Sequence, residues 1–172
     1  MKLRVVTIIA LASVGLSAAS GSTVASVPSH GAHAAARPDI LSAMFAWWNE
    51  SMRNHVPFDR AGFARFFAGD AVLRIDGVAA ATGIDAITAH FKAIQGSGAE
   101  VEIVLPFDKV MVSRTRIYTY HVIRSRRDGR VSCMLAAGHA DVAGGKITEI
   151  SLVRAVVQPG SSPAAQACWQ NT

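Results

Sequence analysis

Residues 63–77 read FARFFAGDAVLRIDG, and this stretch decides the fold class. Its phenylalanines lie on one side of a short helix, which Asp59 caps and Gly69 ends. Over residues 71–76 apolar and polar side chains alternate as they do in a β-strand, and a turn follows. The stretch therefore predicts a short helix followed by a β-hairpin, with residues 78–81 as the return strand.

Helical periodicity is found on both sides of this stretch. Before it, Asp39 caps an amphipathic helix that runs to about His55, with apolar residues every three or four positions. After it, residues 84–95 form a third helix, which Gly96 ends.

From Glu100 onward the pattern changes from helical spacing to alternation. The predicted strands cover residues 100–112, 115–126, 130–142 and 146–157, with turns at Ser113-Arg114, Asp128-Gly129 and Gly144-Gly145. Helices followed by a long meander predict an α+β domain. We expect about three N-terminal helices to cover one face of a curved, mostly antiparallel sheet.

The N-terminal segment is typical of an export signal. Two basic residues precede an apolar run over residues 5–16, and small residues follow it. Because this run is too short to cross a bilayer, a cleaved signal peptide with a disordered leader over residues 1–36 is favoured over an uncleaved anchor. We therefore expect a secreted or periplasmic domain over residues 37–157, without stable membrane insertion, and a flexible tail over residues 158–172.

Charge and composition exclude several classes of protein. With 51% hydrophobic and 17% charged residues, the bulk of the chain is not disordered. The formal net charge of +5 includes two basic residues of the leader, and four of the remaining arginines, Arg124, Arg126, Arg127 and Arg130, lie around the turn Asp128-Gly129. No aromatic platform or recognition motif accompanies them, so we expect no nucleic-acid partner.

Motifs for metals, cofactors and covalent catalysis are absent from the sequence. It contains no CxxC or HExxH metal motif, no Gly-rich phosphate loop and no GxSxG nucleophile elbow. We therefore predict no metal and no cofactor. The two cysteines, Cys133 and Cys168, form a disulfide or remain thiols in an exported chain, and the sequence leaves both alternatives open.

Four segments in order resemble the SnoaL-like branch of the nuclear-transport-factor-2-like (NTF2-like) superfamily, whose members include ketosteroid isomerase, scytalone dehydratase, limonene epoxide hydrolase and polyketide cyclases. The segments are FAWWNE at residues 45–50, the stretch at 63–77, TGIDAI at 82–87 and GKITEI at 145–150. The resemblance covers about residues 40–157. It implies a cone-shaped half-barrel with a pocket between the concave sheet and the helices, and a homodimer formed across the sheet. It implies little about activity, because the same cone serves enzymes and binding modules.

Acid–base chemistry in such a pocket needs a carboxylate or an imidazole, and three residues are candidate catalytic groups. By the resemblance, Asp76 lies close to the general-base aspartate of ketosteroid isomerases, although it comes one residue late when counted from Asp70. The alternative is that Asp76 only forms the turn with Gly77. His121 and His139 lie in predicted strands, where His121 is a base or a hydrogen-bonded core residue.

Four further residues are candidates for contact with a bound molecule. Trp48 follows another tryptophan, and only one of the two can face the core and cover the pocket. Tyr118 and Tyr120 share the strand face opposite to that of His121, and periodicity leaves open which face lines the pocket. Arg154 continues an apolar strand face, where an arginine needs an anionic partner or ligand.

The sequence thus predicts an exported domain that binds a small apolar or carbonyl-containing molecule, with or without cofactor-free isomerase, dehydratase or cyclase activity. The alternative is a non-catalytic binding module or a dimeric interaction module. Convergence of Asp76, His121 and His139 across a closed pocket would favour the enzyme. A filled cone beneath a broad apolar outer sheet would favour an assembly partner.

Overall fold

The computed structural model describes residues 38–158, which form three helices and seven strands. The helices are α1 (Ile40–Arg53), α2 (Arg60–Ala64) and α3 (Ile84–Gln95). The strands are β1 (Phe67–Ile75), β2 (Val78–Thr82), β3 (Glu100–Ile103), β4 (Lys109–Val112), β5 (Arg116–Arg127), β6 (Arg130–Ala143) and β7 (Lys146–Val156). The predicted leader, and the predicted tail beyond Gln158, lie outside the described residues. Within the described part of the chain, no helix has the length and apolar character needed to span a membrane.

The seven strands form one curved, mixed sheet. Their order is β2-β1-β7-β6-β5-β3, and β4 pairs with the first half of β5. Only β1 and β7 pair in parallel; the other pairings are antiparallel. Register shifts after Leu73 in β1 and after Asp141 in β6 are typical of bulges, which bend a strand. The predicted α+β class with a mostly antiparallel sheet is confirmed.

Asp-Gly turns close two of the hairpins. The φ angle is +54° at Asp76 and +84° at Gly77, and it is +51° at Asp128 and +73° at Gly129. Positive φ at both central residues gives the turn whose twist matches that of the flanking strands, and Asp-Gly adopts it readily. The two hairpins predicted at these positions are confirmed.

Aspartates begin the first two helices, as the sequence predicts. Oδ1 of Asp39 accepts hydrogen bonds from the amides of Leu41 and Ser42 at 3.0 and 2.9 Å. Oδ1 of Asp59 accepts one from the amide of Gly62 at 2.7 Å. These bonds satisfy amide groups that have no partner within the helix.

The second helix is shorter than its phenylalanine spacing predicts. It ends at Ala64, and β1 already begins at Phe67. The amide of Ile147 donates to the carbonyl oxygen of Phe66 at 2.8 Å, and Phe67 pairs with Ile147 in the parallel ladder. Pairing with β7 therefore overrides the local helical pattern, and the predicted helix end at Gly69 is wrong.

The strand predicted over residues 100–112 is two strands, β3 and β4, which pair with different parts of β5. Pro106 lies between them and has no amide hydrogen to donate to a ladder. The Leu105–Pro106 peptide bond is cis. The prediction of one continuous strand is therefore wrong, because alternation of side chains continues through a segment that leaves the ladder.

The helices pack against one face of the sheet, which we call the inner face. It carries the buried residues Ile117, His121, Ala136 and Ala140. The opposite, outer face carries Tyr118, Tyr120, Ala137, His139 and Val153. The main hydrophobic core lies between the helices and the inner face, and it is rich in phenylalanine.

Candidate functional site

His121 is enclosed in the core between α1 and the sheet. It lies on the inner face of β5 and is only 2% exposed. The ring centroids of Phe107 and Phe45 lie 5.1 and 6.0 Å from that of the imidazole. Its direct neighbour on β6 is Ala136, which is fully buried. Alternation in the sequence does not determine which face of β5 points to the core. The structure places His121 on the face that the helices cover.

The imidazole of His121 has no hydrogen-bond partner at either nitrogen among the described residues. Burial in these apolar surroundings lowers the pKa of His121 to about 4. The ring is therefore neutral near pH 7 and offers one N–H donor and one acceptor nitrogen. Such an arrangement is uncommon, because each unpaired buried polar group costs about 1–3 kcal/mol.

Trp48 carries a third buried polar atom without a partner in the described part of the chain, its indole Nε1. The indole stacks on Phe58 with a centroid separation of 5.8 Å and meets Phe91 edge-on at 6.4 Å. Phe45, which contacts His121, lies three residues before Trp48 on α1, so both residues face the core from the same side of the helix. A buried indole N–H usually has an acceptor, and this one has none.

The other tryptophan of the pair, Trp47, is only partly buried. Its ring meets those of Phe63 and Phe66 at 5.0 and 5.5 Å, and the Arg65 guanidinium lies 4.9 Å from its centroid. Trp48 is thus the tryptophan that packs deeper in the core, and Trp47 joins α1 to the phenylalanines around α2.

Other buried polar side chains in this core are paired. The side chain of Asn49 donates to the carbonyl oxygen of Ile103 at 2.7 Å and accepts from its amide at 2.9 Å. The hydroxyl of Thr88 donates to the carbonyl oxygen of Ile84 at 2.7 Å. Unpartnered polar atoms are therefore specific to His121 and Trp48 and are not a general property of the core.

Asp76 lies in an exposed turn and is bound to Arg154. Its Oδ1 accepts from the amide of Arg154 at 2.8 Å, and its Oδ2 accepts from Nη2 of the guanidinium at 2.7 Å. These hydrogen bonds lower the pKa of Asp76 below its usual range. The carboxylate is therefore charged and is held by the Arg154 guanidinium. Asp76 is thus the anionic partner that the sequence analysis expected for Arg154.

His90, which the sequence reasoning missed, lies near this ion pair. It is partly buried on α3, and burial, followed by the positive charge of Arg154, lowers its pKa. The sequence feature that could have identified His90 is its position three residues after Ile87 and directly before Phe91, which places it on the apolar side of α3.

His139 and the two tyrosines lie on the outer face. Tyr118 pairs directly with His139, and their ring centroids are 5.9 Å apart. Nε2 of His139 lies 3.9 Å from Oδ2 of Asp141, to which Nη2 of Arg116 donates at 2.8 Å. The Arg116 guanidinium lowers the pKa of Asp141. The sheet therefore separates His139 from His121, and the structure does not bring together the three candidate catalytic residues.

Neither His121 nor Trp48 lines either of two cavities that lie in the described part of the chain. The first, of about 510 Å³, lies between the C-terminal half of α1 and the ends of β3, β5 and β6. The second, of about 570 Å³, is a shallow depression on the outer face that includes Tyr118, Tyr120 and His139. The rings of Phe45 and Phe107 lie beside the imidazole of His121 instead.

Residues 38–158 contain no group of three or more His, Cys, Asp or Glu side chains that could hold a metal ion. Cys133 is buried and disulfide-bonded. The second cysteine of the chain, Cys168, lies outside the described residues, so the pairing of the two stays a prediction.

Known structures share this arrangement of a curved sheet with helices on its inner face. The fold matches an LEH-like epoxide hydrolase of Mycobacterium tuberculosis with a TM-score of 0.53 at 13% identity, over 67% of this chain and 81% of that chain. It matches an NTF2-like protein of Anabaena variabilis with a TM-score of 0.53 at 15% identity, over 72% and 90%. This chain has an NTF2-like fold.

A third match to the NTF2-like domain is a protein with a ketosteroid isomerase-like fold from Catenulispora acidiphila, solved in complex with trimethylamine. The TM-score is 0.52 at 16% identity, over 75% of this chain and 93% of that chain. No family model and no curated protein matches the sequence. The resemblance seen in the sequence is therefore confirmed at the level of the fold, and identities this low carry no information about activity.

Proposed function

We propose that this NTF2-like domain binds a small, largely apolar molecule with one polar group at His121 and Trp48, and that it does so without catalysis. The observation that carries the proposal is the set of three buried ring nitrogens without a partner, two on His121 and one on Trp48. A carbonyl or hydroxyl group on a bound molecule would supply hydrogen bonds that the core lacks. The aromatic rings around these nitrogens would receive the apolar part of the same molecule.

Binding is favoured over catalysis because the candidate acid–base groups lie apart. His121, with a pKa of about 4, is a weak base near pH 7. Asp76 is bound by Arg154 in an exposed turn, and His139 lies on the outer face. No pair of these residues reaches a single molecule in the core, and an isomerase or a dehydratase needs both an acid and a base in its pocket.

A ligand would enter by displacing side chains, since the three nitrogens have no exposed surface. Phe107 contacts His121 and belongs to the irregular segment between β3 and β4. Segments outside a hydrogen-bonded ladder open more readily than paired strands, so we expect entry beside Phe107.

The proposal is tested by extraction of bound molecules from the purified protein. His121→Leu removes both imidazole nitrogens at similar volume, and His139→Leu is the matched control on the outer face. Solvent extracts analysed by mass spectrometry should contain a small molecule in the wild type and in His139→Leu but not in His121→Leu. The same molecule in all three proteins, at equal amount, would refute the proposal.

The outer face supports a second proposal, that two copies of the domain pair through it. Two neighbouring rows of paired residues run across the strands on this face. One row contains Met111, Tyr118 and His139, and the other runs from Tyr120 to Val153. Met111 is 62% exposed, Tyr118 40% and Val153 61%. Large apolar side chains gathered on one face are typical of a protein interface.

The dimer is tested with charges placed on this face. Met111→Glu combined with Val153→Glu should halve the mass measured by light scattering, because unpaired carboxylates cannot be buried against a second copy. Val78→Glu, at an exposed position of β2, is the control and should keep the mass of the wild type. An unchanged mass in the double variant would contradict pairing through the outer face.

Export is the third part of the proposal, and it rests on the sequence of residues 1–36. A basic start, an apolar run and small residues predict cleavage before the domain. N-terminal sequencing of the protein recovered outside the cytoplasm should begin between residues 20 and 37. Full-length protein retained in the membrane fraction would indicate an uncleaved anchor instead.

A further inference from the structure

The β4 strand forms part of one edge of the sheet, and its free side is unprotected. It pairs with β5 on one side, and no other strand of the described structure lies against its other side. Its three apolar residues are all exposed: Val110 is 49% exposed, Met111 62% and Val112 57%. Edge strands of natural proteins are usually charged, bulged or covered, because an exposed apolar edge pairs with other chains. The free edge of β4 therefore suits a partner strand.

The neighbouring strand β3, on the same edge of the sheet, has the protection that β4 lacks. Glu100 and Glu102 alternate along β3 and form ion pairs with arginines of β5. The side chain of Asn49 binds both the amide and the carbonyl of Ile103. In β4 the one charged residue is Lys109, and no side chain of the described residues binds the backbone on its free side. The two parts of this edge therefore differ in how they can meet another chain.

The free side of β4 presents the backbone groups of Val110 and Val112. The amide of Ser113 donates to the carbonyl oxygen of Arg116 at 2.8 Å, so these two residues form a hydrogen-bonded pair. Bonded and non-bonded pairs alternate in an antiparallel ladder, which makes Met111 the next residue bonded to β5. The amides and carbonyls of Val110 and Val112 therefore point away from β5. Two donors and two acceptors lie along the free edge.

A second copy of the same strand matches these four groups. If two β4 strands run antiparallel about a two-fold axis at Met111, Val110 of each copy faces Val112 of the other. Each of these two pairs exchanges two hydrogen bonds, so every free donor and acceptor is used. The same register brings Asp108 of one copy opposite Arg114 of the other at both ends of the contact. Both residues are exposed, and neither has an ion pair within the described structure.

We infer that β4 pairs with β4 of a second copy in this antiparallel register, so that the two sheets join into one. The contact lies at the edge of the sheet and does not depend on the outer-face pairing proposed above, although Met111 borders both surfaces. Because the paired strands are only four residues long, they bury little surface, and the contact is weaker than a standard interface. Copies therefore associate through β4 at high protein concentration, whereas an outer-face dimer already exists in dilute solution.

Disulfide trapping tests the register of the two strands. Val110→Cys protein is mixed with Val112→Cys protein and treated with oxidised glutathione. Across the axis the Cα atoms of these two positions lie about 5.5 Å apart, within the range of a disulfide. In either variant alone the two new cysteines are separated by about 8 Å, beyond that range. Mass spectrometry should find the cross-linked peptides in the mixture and several-fold less in each variant alone. No cross-link in the mixture, or equal cross-linking in all three samples, would overturn the pairing.

A charge swap tests the same register without added cysteines. All variants carry Val153→Glu, which places a charge on the outer face, so the result does not depend on the outer-face dimer. Sedimentation equilibrium should show association at high concentration. Asp108→Arg or Arg114→Asp alone should weaken it several-fold, because like charges then face each other, and the two swaps together should restore it.

A single-copy mass at every concentration in Val153→Glu, or swaps that do not rescue each other, would overturn the β4 contact. Failure of the outer-face dimer gives a different result. The wild type and Val153→Glu then associate alike, from single copies to pairs, through β4.

Discussion

The ring of His121 lies 5.1 Å from the ring of Phe107, centroid to centroid, and neither imidazole nitrogen has a hydrogen-bond partner in the described structure. An apolar residue of similar size at this place would avoid the cost of desolvating the imidazole. The histidine therefore costs stability in the ligand-free domain. That cost is explained if a bound molecule hydrogen-bonds to the ring.

The first prediction concerns stability at acid pH. The pKa of His121 is about 4 in the folded protein and about 6.5 in an unfolded chain, so the unfolded state binds more protons between these values. The contribution of His121 is complete above pH 6.5 and is lost as the pH falls toward 4, by about 3 kcal/mol in total. Urea unfolding at several pH values should show this loss in the wild type and a flatter profile in His121→Leu.

The control for this prediction is His55→Asn. His55 is exposed and has a φ of +53°, which asparagine tolerates. The control should keep the acid sensitivity of the wild type, because other histidines and the carboxylates are unchanged. Equal profiles for wild type and His121→Leu would show that His121 does not titrate as a buried group.

The second prediction concerns Arg154. Arg154→Met keeps the length of the side chain and removes the guanidinium, so the pKa of Asp76 should rise toward its usual value. The pKa of His90 should rise as well but remain below 6.5, because burial is the larger cause of its shift. NMR titration of both side chains measures these changes. Arg74→Met, which removes the cation that pairs with Glu149, is the control and should change neither pKa.

The third prediction concerns the attachment of α1 to the sheet. Asn49→Ala leaves the amide and the carbonyl of Ile103 buried without partners, which should cost about 2–4 kcal/mol in the free energy of unfolding. Hydrogen exchange at the Ile103 amide should become faster at the same time. Asn54→Ala, at the exposed C-terminal end of α1, is the control. A loss below 1 kcal/mol for Asn49→Ala would mean that water replaces the lost bonds.

The fourth prediction concerns Gly138, which lies on β6 beside β7. A Cβ atom at this position would lie 2.1 Å from the carbonyl oxygen of Ser151 and 2.7 Å from the Cα of Leu152. Backbone atoms cannot move aside as a flexible side chain can, so Gly138→Ala should destabilise the domain by about 1–3 kcal/mol. Gly69→Ala, where a Cβ would meet nothing within 4 Å, is the control in a denaturation experiment.

Local patterns gave the order of the elements and most of their ends. The third helix, the Asp-Gly hairpins and the long strands β5 to β7 depend on spacing and turn chemistry within a few residues. The end of α2 was mispredicted because Phe66 and Phe67 are engaged by β7, some 80 residues later in the chain. Contacts over such distances leave no local signal.

In the candidate site, too, features set by local sequence could be predicted and features set by distant contacts could not. The Asp-Gly signal correctly indicated a turn at Asp76, but its bond to Arg154 depends on the register of β1 and β7. The alternation in β5 showed that His121 and the tyrosines lie on opposite faces, and only the packing of Phe45 from α1 reveals which face is inside. The burial that lowers the pKa of His90 follows from its place on the apolar side of α3, but the charge that adds to this effect, on Arg154, belongs to a distant strand.

The most direct test of the binding site uses two probes of nearly equal shape. Cyclohexanone has a carbonyl acceptor, and methylenecyclohexane replaces it with an apolar group. Long-range ¹H–¹⁵N NMR of the full chain should show the Trp48 indole N–H and the His121 ring nitrogens shifting with cyclohexanone, and much less with methylenecyclohexane. If neither residue responds to either probe, or if only outer-face residues such as Tyr118 respond, the core of this domain is not its binding site.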